Sequence, residues 1–282
     1  MSKFIKAEVP ENCEILNTGD WHVGAKAFHA KGAEKIVAWV EAKPDRFLTF
    51  GGDALEGKMI NSPNFNPKGL SANLLDIHSQ ADYFAGLLKP IADRVLIVTL
   101  GNHELYLLKD FDVVRYICKE MGRPEIQGDY QTWLVLNNAL TLHFWHGRPV
   151  LPRGAKDPIQ REANQKAWLK NRLAPLCGSA QAQYMGHTHS CLIVPPIEQY
   201  ALVNHAENVH GVYFVEQPRE INGEPWVPPD ARWYVNTGSL RRAGGFDYVD
   251  YCEIAGYQPQ AMAYTITKIE NNRIKDIRKV VV

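Results

Sequence analysis

Five times along the chain a short apolar run ends beside a glycine and residues of the kind that bind metals. The five clusters are Gly19-Asp20-Trp21-His22, Gly52-Asp53, Gly101-Asn102-His103-Glu104, His146-Gly147 and Gly186-His187-Thr188-His189. Each lies just past the carboxyl end of a predicted strand, the edge at which α/β sheets bind ligands. Glycine there lets the chain turn sharply and lets backbone approach a bound group. Asp20 and His22 are two residues apart, as are His187 and His189. In an extended segment such pairs point to one side, so each pair aims two ligands at one place. The ligand set is mixed oxygen and nitrogen without thiolate, which suits Mn²⁺, Fe, Zn²⁺, Co²⁺ or Ni²⁺. It exceeds what one tetrahedral ion takes and suffices for two ions sharing a bridge. Two ions roughly 3.5–4 Å apart form a clamp for phosphoryl hydrolysis. A single histidine after a strand is more often structural, and Asn102-His103 alone fits a turn. Five clusters in register with five strand ends do not reduce to turns.

The intervening sequence reads as alternating strands and helices. Strands are expected at Ile15-Leu16, Phe47–Phe50, Val95–Leu100, near Ala182–Met185 and at Arg232–Val235. Helices are expected over 31–43, stopped by Pro44, over 71–91 with Ser71 or Asn73 as cap, over 110–121, and from Asp157-Pro158 to before Pro175. Hairpins are expected over 131–145, turning at Asn137-Asn138, and over 261–282, turning at Asn271-Asn272. Residues 190–232 read as irregular with one strand at Gly211–Glu216, and as a lid or specificity insertion in a single domain spanning 1–282. The pattern predicts a mixed α/β fold with helices covering the sheets.

Composition narrows the class. The 31 basic residues balance 31 acidic ones, so there is no global field for non-specific nucleic-acid capture, although a local patch would suffice. Cys13, Cys118, Cys177, Cys191 and Cys252 are odd in number and form no CxxC pair, which fits reduced thiols. The amino-terminal residues lack the apolar core of a secretory signal. No stretch approaches the ~20 apolar residues of a membrane helix. The expectation is a cytoplasmic protein without a membrane partner, with homo-oligomerisation left open.

At the five clusters the sequence resembles the calcineurin-like metallophosphoesterase superfamily. Its signature is D-x-H, G-D, G-N-H-E or G-N-H-D, a histidine followed by glycine, and G-H-x-H. All five parts occur in order over residues 19–189, and Asn236-Thr237-Gly238-Ser239 resembles the strand and turn that follow them. The resemblance implies a four-layer α-β-β-α sandwich of two mixed sheets flanked by helices. It implies one divalent ion held by Asp20, His22, Asp53 and His189, and a second held by Asp53, Asn102, His146 and His187, with Asp53 bridging. Mn²⁺ is the expected metal. A hydroxide bridging the two ions would attack phosphorus in line, and His103 would sit near the leaving oxygen as general acid or phosphate ligand. A carboxylate that holds His103 in the right tautomer is part of this picture, and Glu56 occupies the place where the protein-phosphatase branch has such an aspartate. The alternative for Glu56 is a surface glutamate.

One departure bears on substrate. After Asp53 the chain reads Ala54-Leu55-Glu56-Gly57-Lys58, where the protein-phosphatase branch has aspartate-arginine-glycine. Gly57 stands in the place of the phosphate-binding arginine, and Lys58 differs from arginine in geometry. This argues against a Ser/Thr protein phosphatase and for phosphodiesters. The rivals are a DNA nuclease of the double-strand-break-repair type, a small-molecule phosphomonoesterase and a non-enzymatic scaffold. Peripheral candidates are Glu104 and Arg241, and with them Arg242, the basic run over 148–172, the loop 61–69, and Tyr200, His205, His210, Tyr213 and Trp226. Each also has a bland reading as solvated surface, minor core or dimer contact. His29, His78 and His143 fall outside the motifs and read as structural or surface.

Overall fold

The computed structural model describes residues 2–58, 65–148, 150–152, 154–206, 208–244, 247–248 and 259–282. The first half runs β1 (Ser2–Ala7), β2 (Cys13–Thr18), α1 (Ala30–Glu41), β3 (Arg46–Phe50), α2 (Ile77–Leu88), β4 (Val95–Val98), α3 (Asn102–Leu107) and α4 (Val113–Glu120). It continues with β5 (Gln131–Leu136), β6 (Leu140–Trp145), α5 (Pro158–Leu173), β7 (Ala182–Met185) and β8 (Cys191–Val194). The remaining strands are β9 (Gln199–His205), β10 (Asn208–Phe214), β11 (Arg219–Ile221), β12 (Glu224–Trp226), β13 (Trp233–Thr237), β14 (Ala263–Glu270) and β15 (Arg273–Val281).

Two mixed sheets form the centre. One has the order β1-β5-β6-β7-β13-β8 and the other β15-β14-β2-β3-β4. In the second, β2, β3 and β4 run parallel; in the first, β6, β7 and β13 do. Alternation along each strand sets the layers. Ile15, Phe47 and Ile97 point to one side and pack with Leu142, Phe144, Tyr184 and Val235 of the other sheet. Leu16, Leu48 and Phe50 point the opposite way, into Ile36 and Val40 of α1 and Phe84 and Leu88 of α2. On the far face Leu169 and Leu173 of α5 meet Met185 and Tyr234. The layers are therefore helices, sheet, sheet, helix, as expected.

Several local expectations are corrected. Helix α2 begins at Ile77, not near residue 71, because Asp76 caps it: its carboxylate accepts the Ser79 N–H at 2.9 Å. Leu75, which lies before the helix begins, is exposed. The strand after residue 94 ends at Val98, before Leu100. Strand β1, parallel to β5, was not expected, since lysines interrupt its apolar pattern and Phe4 faces solvent. Region 190–232 is not irregular. It contains β8 and two antiparallel pairs, β9 with β10 and β11 with β12. Tyr200, His205, His210 and Tyr213 all lie exposed on the β9–β10 ribbon. Trp226 instead packs over Gly178 and under the guanidinium of Arg232. The turns at Asn137-Asn138 and Asn271-Asn272 form as expected, with all four residues at positive φ.

Cys13, Cys118 and Cys177 are buried free thiols and Cys191 is a partly buried one. Cys252, Arg153 and residues 61–64 of the 61–69 loop lie outside the described residues. Among the described residues no helix is long and apolar enough to cross a membrane.

Candidate metal centre

The parallel strands of both sheets deliver the five clusters to one edge. β2 leads to Asp20 and His22, β3 to Asp53, β4 to Asn102 and His103, β6 to His146, and β7 to His187 and His189. Backbone pairing between β2 and β3 continues past the strands, with Asp20 N–H donating to Gly52 O at 2.9 Å and His22 N–H to Asp53 O at 3.1 Å. The third cluster starts helix α3, an element the sequence reading did not foresee.

The side chains meet in three overlapping triads: Asp20, His22 and His189; His22, Asp53 and His103; Asp53, His146 and His187. In each, the ligand atoms lie within 4.8 Å of one another. Nε2 of His22 faces Nε2 of His189 at 3.1 Å, and Asp20 lies 3.4 Å from the latter. Asp53 is 3.1 Å from His146 Nε2 and 4.0 Å from Nε2 of both His22 and His103. The Asn102 amide oxygen lies 2.7 Å from His187 Nδ1 and 3.2 Å from His146 Nε2. Every residue expected to bind the two ions is therefore within this one constellation. The motifs read from the sequence thus converge in space.

The donors fit divalent cations. Asp20, His22, Asp53 and His146 are buried, and burying carboxylates and imidazoles together is costly unless a cation or proton satisfies them. His146 Nδ1 lies 2.9 Å from the Gly51 carbonyl. A carbonyl only accepts, so Nδ1 carries a proton and Nε2 is the nitrogen directed at Asp53. Burial brings the His22 imidazole down to about 4 despite Glu56 beside it, which leaves it neutral and able to ligate. Burial opposes ionisation of Asp53, but His146 and His103 outweigh it and hold its carboxyl well below the usual range. Burial likewise opposes the charged form of His146, yet Asp53 and Asp20 raise it to about 10.

The backbone is unusual at the same residues. Asp20, His22, Asp53, His187 and His189 all have positive φ, between 50° and 68°. The other non-glycine residues with positive φ among the described residues are Asn137, Asn138, Ala206, Asn222, Asn271 and Asn272, all at hairpin tips. The i,i+2 pairs thus converge through left-handed turns and not through strand alternation, which corrects the geometric reason given above. Such residues cost about 1–3 kcal/mol each and persist where the surroundings over-determine them.

The surroundings are specific. Glu104 is fully buried and accepts the N–H groups of Asp53 at 2.9 Å, Leu55 at 3.0 Å and Gly101 at 2.8 Å. It binds the start of α3 to the chain after β3 and is a brace for the site. A Cβ on Gly101 would lie 2.1 Å from Asp53 backbone and carboxylate atoms, so only glycine permits this approach. The turn after β13 closes the other side. Ser239 Oγ donates to Asp20 O at 2.6 Å, and Asn236 Nδ2 donates to Thr188 Oγ1 at 2.6 Å.

The remaining candidates separate. His103 Nδ1 lies 2.5 Å from the backbone carbonyl of Glu56, so that nitrogen carries the proton and Nε2 faces Asp53. It is this carbonyl, and not the Glu56 carboxylate, that holds His103. The carboxylate turns to His22 and Lys58, at 3.1 Å and 2.8 Å; Glu56 is buried and is not a surface glutamate. The N–H of Arg241 donates to Ser239 Oγ at 2.9 Å, which ties its backbone to the turn that closes on Asp20. The basic run does not form one free face: Lys166 pairs with Glu162, Lys170 with Asp230, and Arg172 stacks on Trp145. Arg148 stands apart, 5.3 Å over the exposed ring of Tyr106. Sequence reasoning missed Gln80, which is buried in α2 and accepts the Gly57 N–H at 3.0 Å. A polar residue on a helix face gave no signal of that contact.

No protein-family model and no curated protein sequence matches the chain. Among solved structures it is similar to the calcineurin-like phosphoesterase YfkN from Bacillus subtilis, at 15% identity and a TM-score of 0.38, over 96% of this chain and 90% of that one. It is also similar to the NAD nucleotidase NadN from Haemophilus influenzae, at 12% identity and a TM-score of 0.38, over 96% of this chain. The chain spans 50% of the nucleotidase's length.

Proposed function

We propose that this chain is a phosphoesterase of the calcineurin-like superfamily that works with two divalent cations and prefers phosphodiesters. The observation that carries this reading is the overlap of the three triads, in which Asp53 belongs to two and Asn102 faces both His146 and His187. Asp20, His22, Asp53 and His189 would hold one ion, and Asp53, Asn102, His146 and His187 the other. When bound, the pair would supply charge for the phosphoryl oxygens and an activated water at neutral pH. Mn²⁺ is proposed, and the donor set also suits Fe, Zn²⁺, Co²⁺ and Ni²⁺.

The chain's own residues would do the rest. His103 is fixed by the Glu56 carbonyl with Nε2 toward the site. Burial disfavours its charged form, but Asp53 and Glu56 raise its pKa above the ordinary value. A protonated imidazole so placed can give Nε2–H to a leaving oxygen. His103→Ala is expected to keep both metals and lose turnover, by about 10²–10⁴-fold for a poor leaving group and much less for a good one. Steady-state rates on a set of aryl phosphodiesters with graded leaving groups check this. Equal losses across the set would exclude the general-acid role.

The diester preference is supported by Gly57. Its φ is +58°, and a Cβ there would lie 3.3 Å from Leu107 Cδ1 and 3.8 Å from His103 Cβ, so this turn favours glycine where the protein-phosphatase branch has arginine.

A further inference from the structure

Glu56 has two carboxylate contacts, one to a proposed metal ligand and one to a neighbouring lysine. One oxygen lies 3.1 Å from Nδ1 of His22. The contact lies off the N–H axis, so that Nδ1 has no aligned hydrogen bond although it is buried. The other oxygen lies 2.8 Å from the Lys58 ammonium. Glu56 is 6% exposed. A carboxylate so deep persists only when charge or hydrogen bonds compensate it, and here the Lys58 ammonium supplies a charge partner. Gly57 makes the geometry possible, because its positive φ turns the chain back so that Lys58 returns to the residue two before it. A histidine whose Nε2 ligates a metal commonly has its other nitrogen oriented by a carboxylate.

We infer that Glu56 is the positioning residue of the first metal site, orienting His22 through Nδ1 and anchoring Lys58 as the cation that receives a substrate phosphoryl oxygen. This rests on the proposed two-metal reading. Glu56 would then serve three neighbours: its backbone carbonyl meets His103 and its carboxylate meets His22 and Lys58.

The test uses the full-length protein stripped of metal. Calorimetric titration with Mn²⁺ is run on wild type, Glu56→Gln, Glu56→Asp and Lys58→Met, with circular dichroism as the check on folding. Inorganic phosphate is then titrated into each Mn²⁺-loaded protein. Glu56→Gln should weaken one of two Mn²⁺ sites by about 10–100-fold and leave the other near wild type. Glu56→Asp should recover part of that loss. Lys58→Met, at a partly exposed position, should bind both ions as wild type and bind phosphate at least about 10-fold more weakly, as expected for a lost charge-assisted contact. Wild type that binds no Mn²⁺ would overturn the metal-site reading and the inference with it. Wild type that binds two ions, with Glu56→Gln doing equally well, would overturn the Glu56 assignment alone. Unchanged phosphate affinity in Lys58→Met would overturn the role given to that lysine.

Discussion

Asp53→Asn is expected to lose both metals and nearly all turnover. One Asp53 oxygen accepts the His103 N–H at 2.9 Å, and an amide oxygen can take over that contact. The other faces His146 at 3.1 Å and belongs to the two triads on either side. Asparagine removes the negative charge shared by both ions and offers an NH₂ group to one of them. Metal affinity should fall by more than about 100-fold, beyond what loss of a supporting residue costs. The rate should fall by about 10³-fold or more, since charge stabilisation is lost along with the ions. Metal content after gel filtration and steady-state kinetics at fixed Mn²⁺ measure the two effects. Full activity in the variant would rule out a shared bridge.

Glu104→Ala is expected to be the most destabilising single change near the site. It strands three buried N–H groups, those of Asp53, Leu55 and Gly101. Each unsatisfied group costs about 1–3 kcal/mol, so a loss of about 3 kcal/mol or more is expected in urea unfolding. The effect reaches function because the Asp53 backbone, already at positive φ, loses what holds it. Glu104→Gln keeps one acceptor oxygen but turns an NH₂ toward N–H donors, so it should fall between alanine and wild type. Wild-type stability in both variants would show that the brace is dispensable.

The two cases separate what the sequence reveals from what it hides. The ligands were legible because metal chemistry demands particular residue types, and glycines mark where each strand ends. The buried strands were legible for a similar reason: a run such as Val95-Leu96-Ile97-Val98 buries both faces and reads as continuous apolar sequence. Conformation at the ligands was not legible. Aspartate and histidine carry no mark of a left-handed backbone, which here is imposed by pairing between the ends of β2 and β3 and by contacts such as those of Glu104. Partnership across distance was equally hidden. Glu56 occupies the position that suggested a tie to His103, yet its carboxylate turns to His22 and Lys58, and its backbone carbonyl meets His103. Of the β9–β10 ribbon only the second strand was read, as Gly211–Glu216; β9 escaped because its exposed positions keep apolar residues such as Leu202, so the alternation that reports a strand is absent.

The central claim is that the five clusters make one metal-dependent hydrolytic site. The most direct measurement compares Mn²⁺-supported hydrolysis of a chromogenic phosphodiester with that of its monoester, each with a chelated control. Diester turnover that the chelator abolishes is expected, with the monoester turned over more slowly. Monoester turnover alone would contradict the diester preference, and hydrolysis that survives complete metal removal would contradict the site itself.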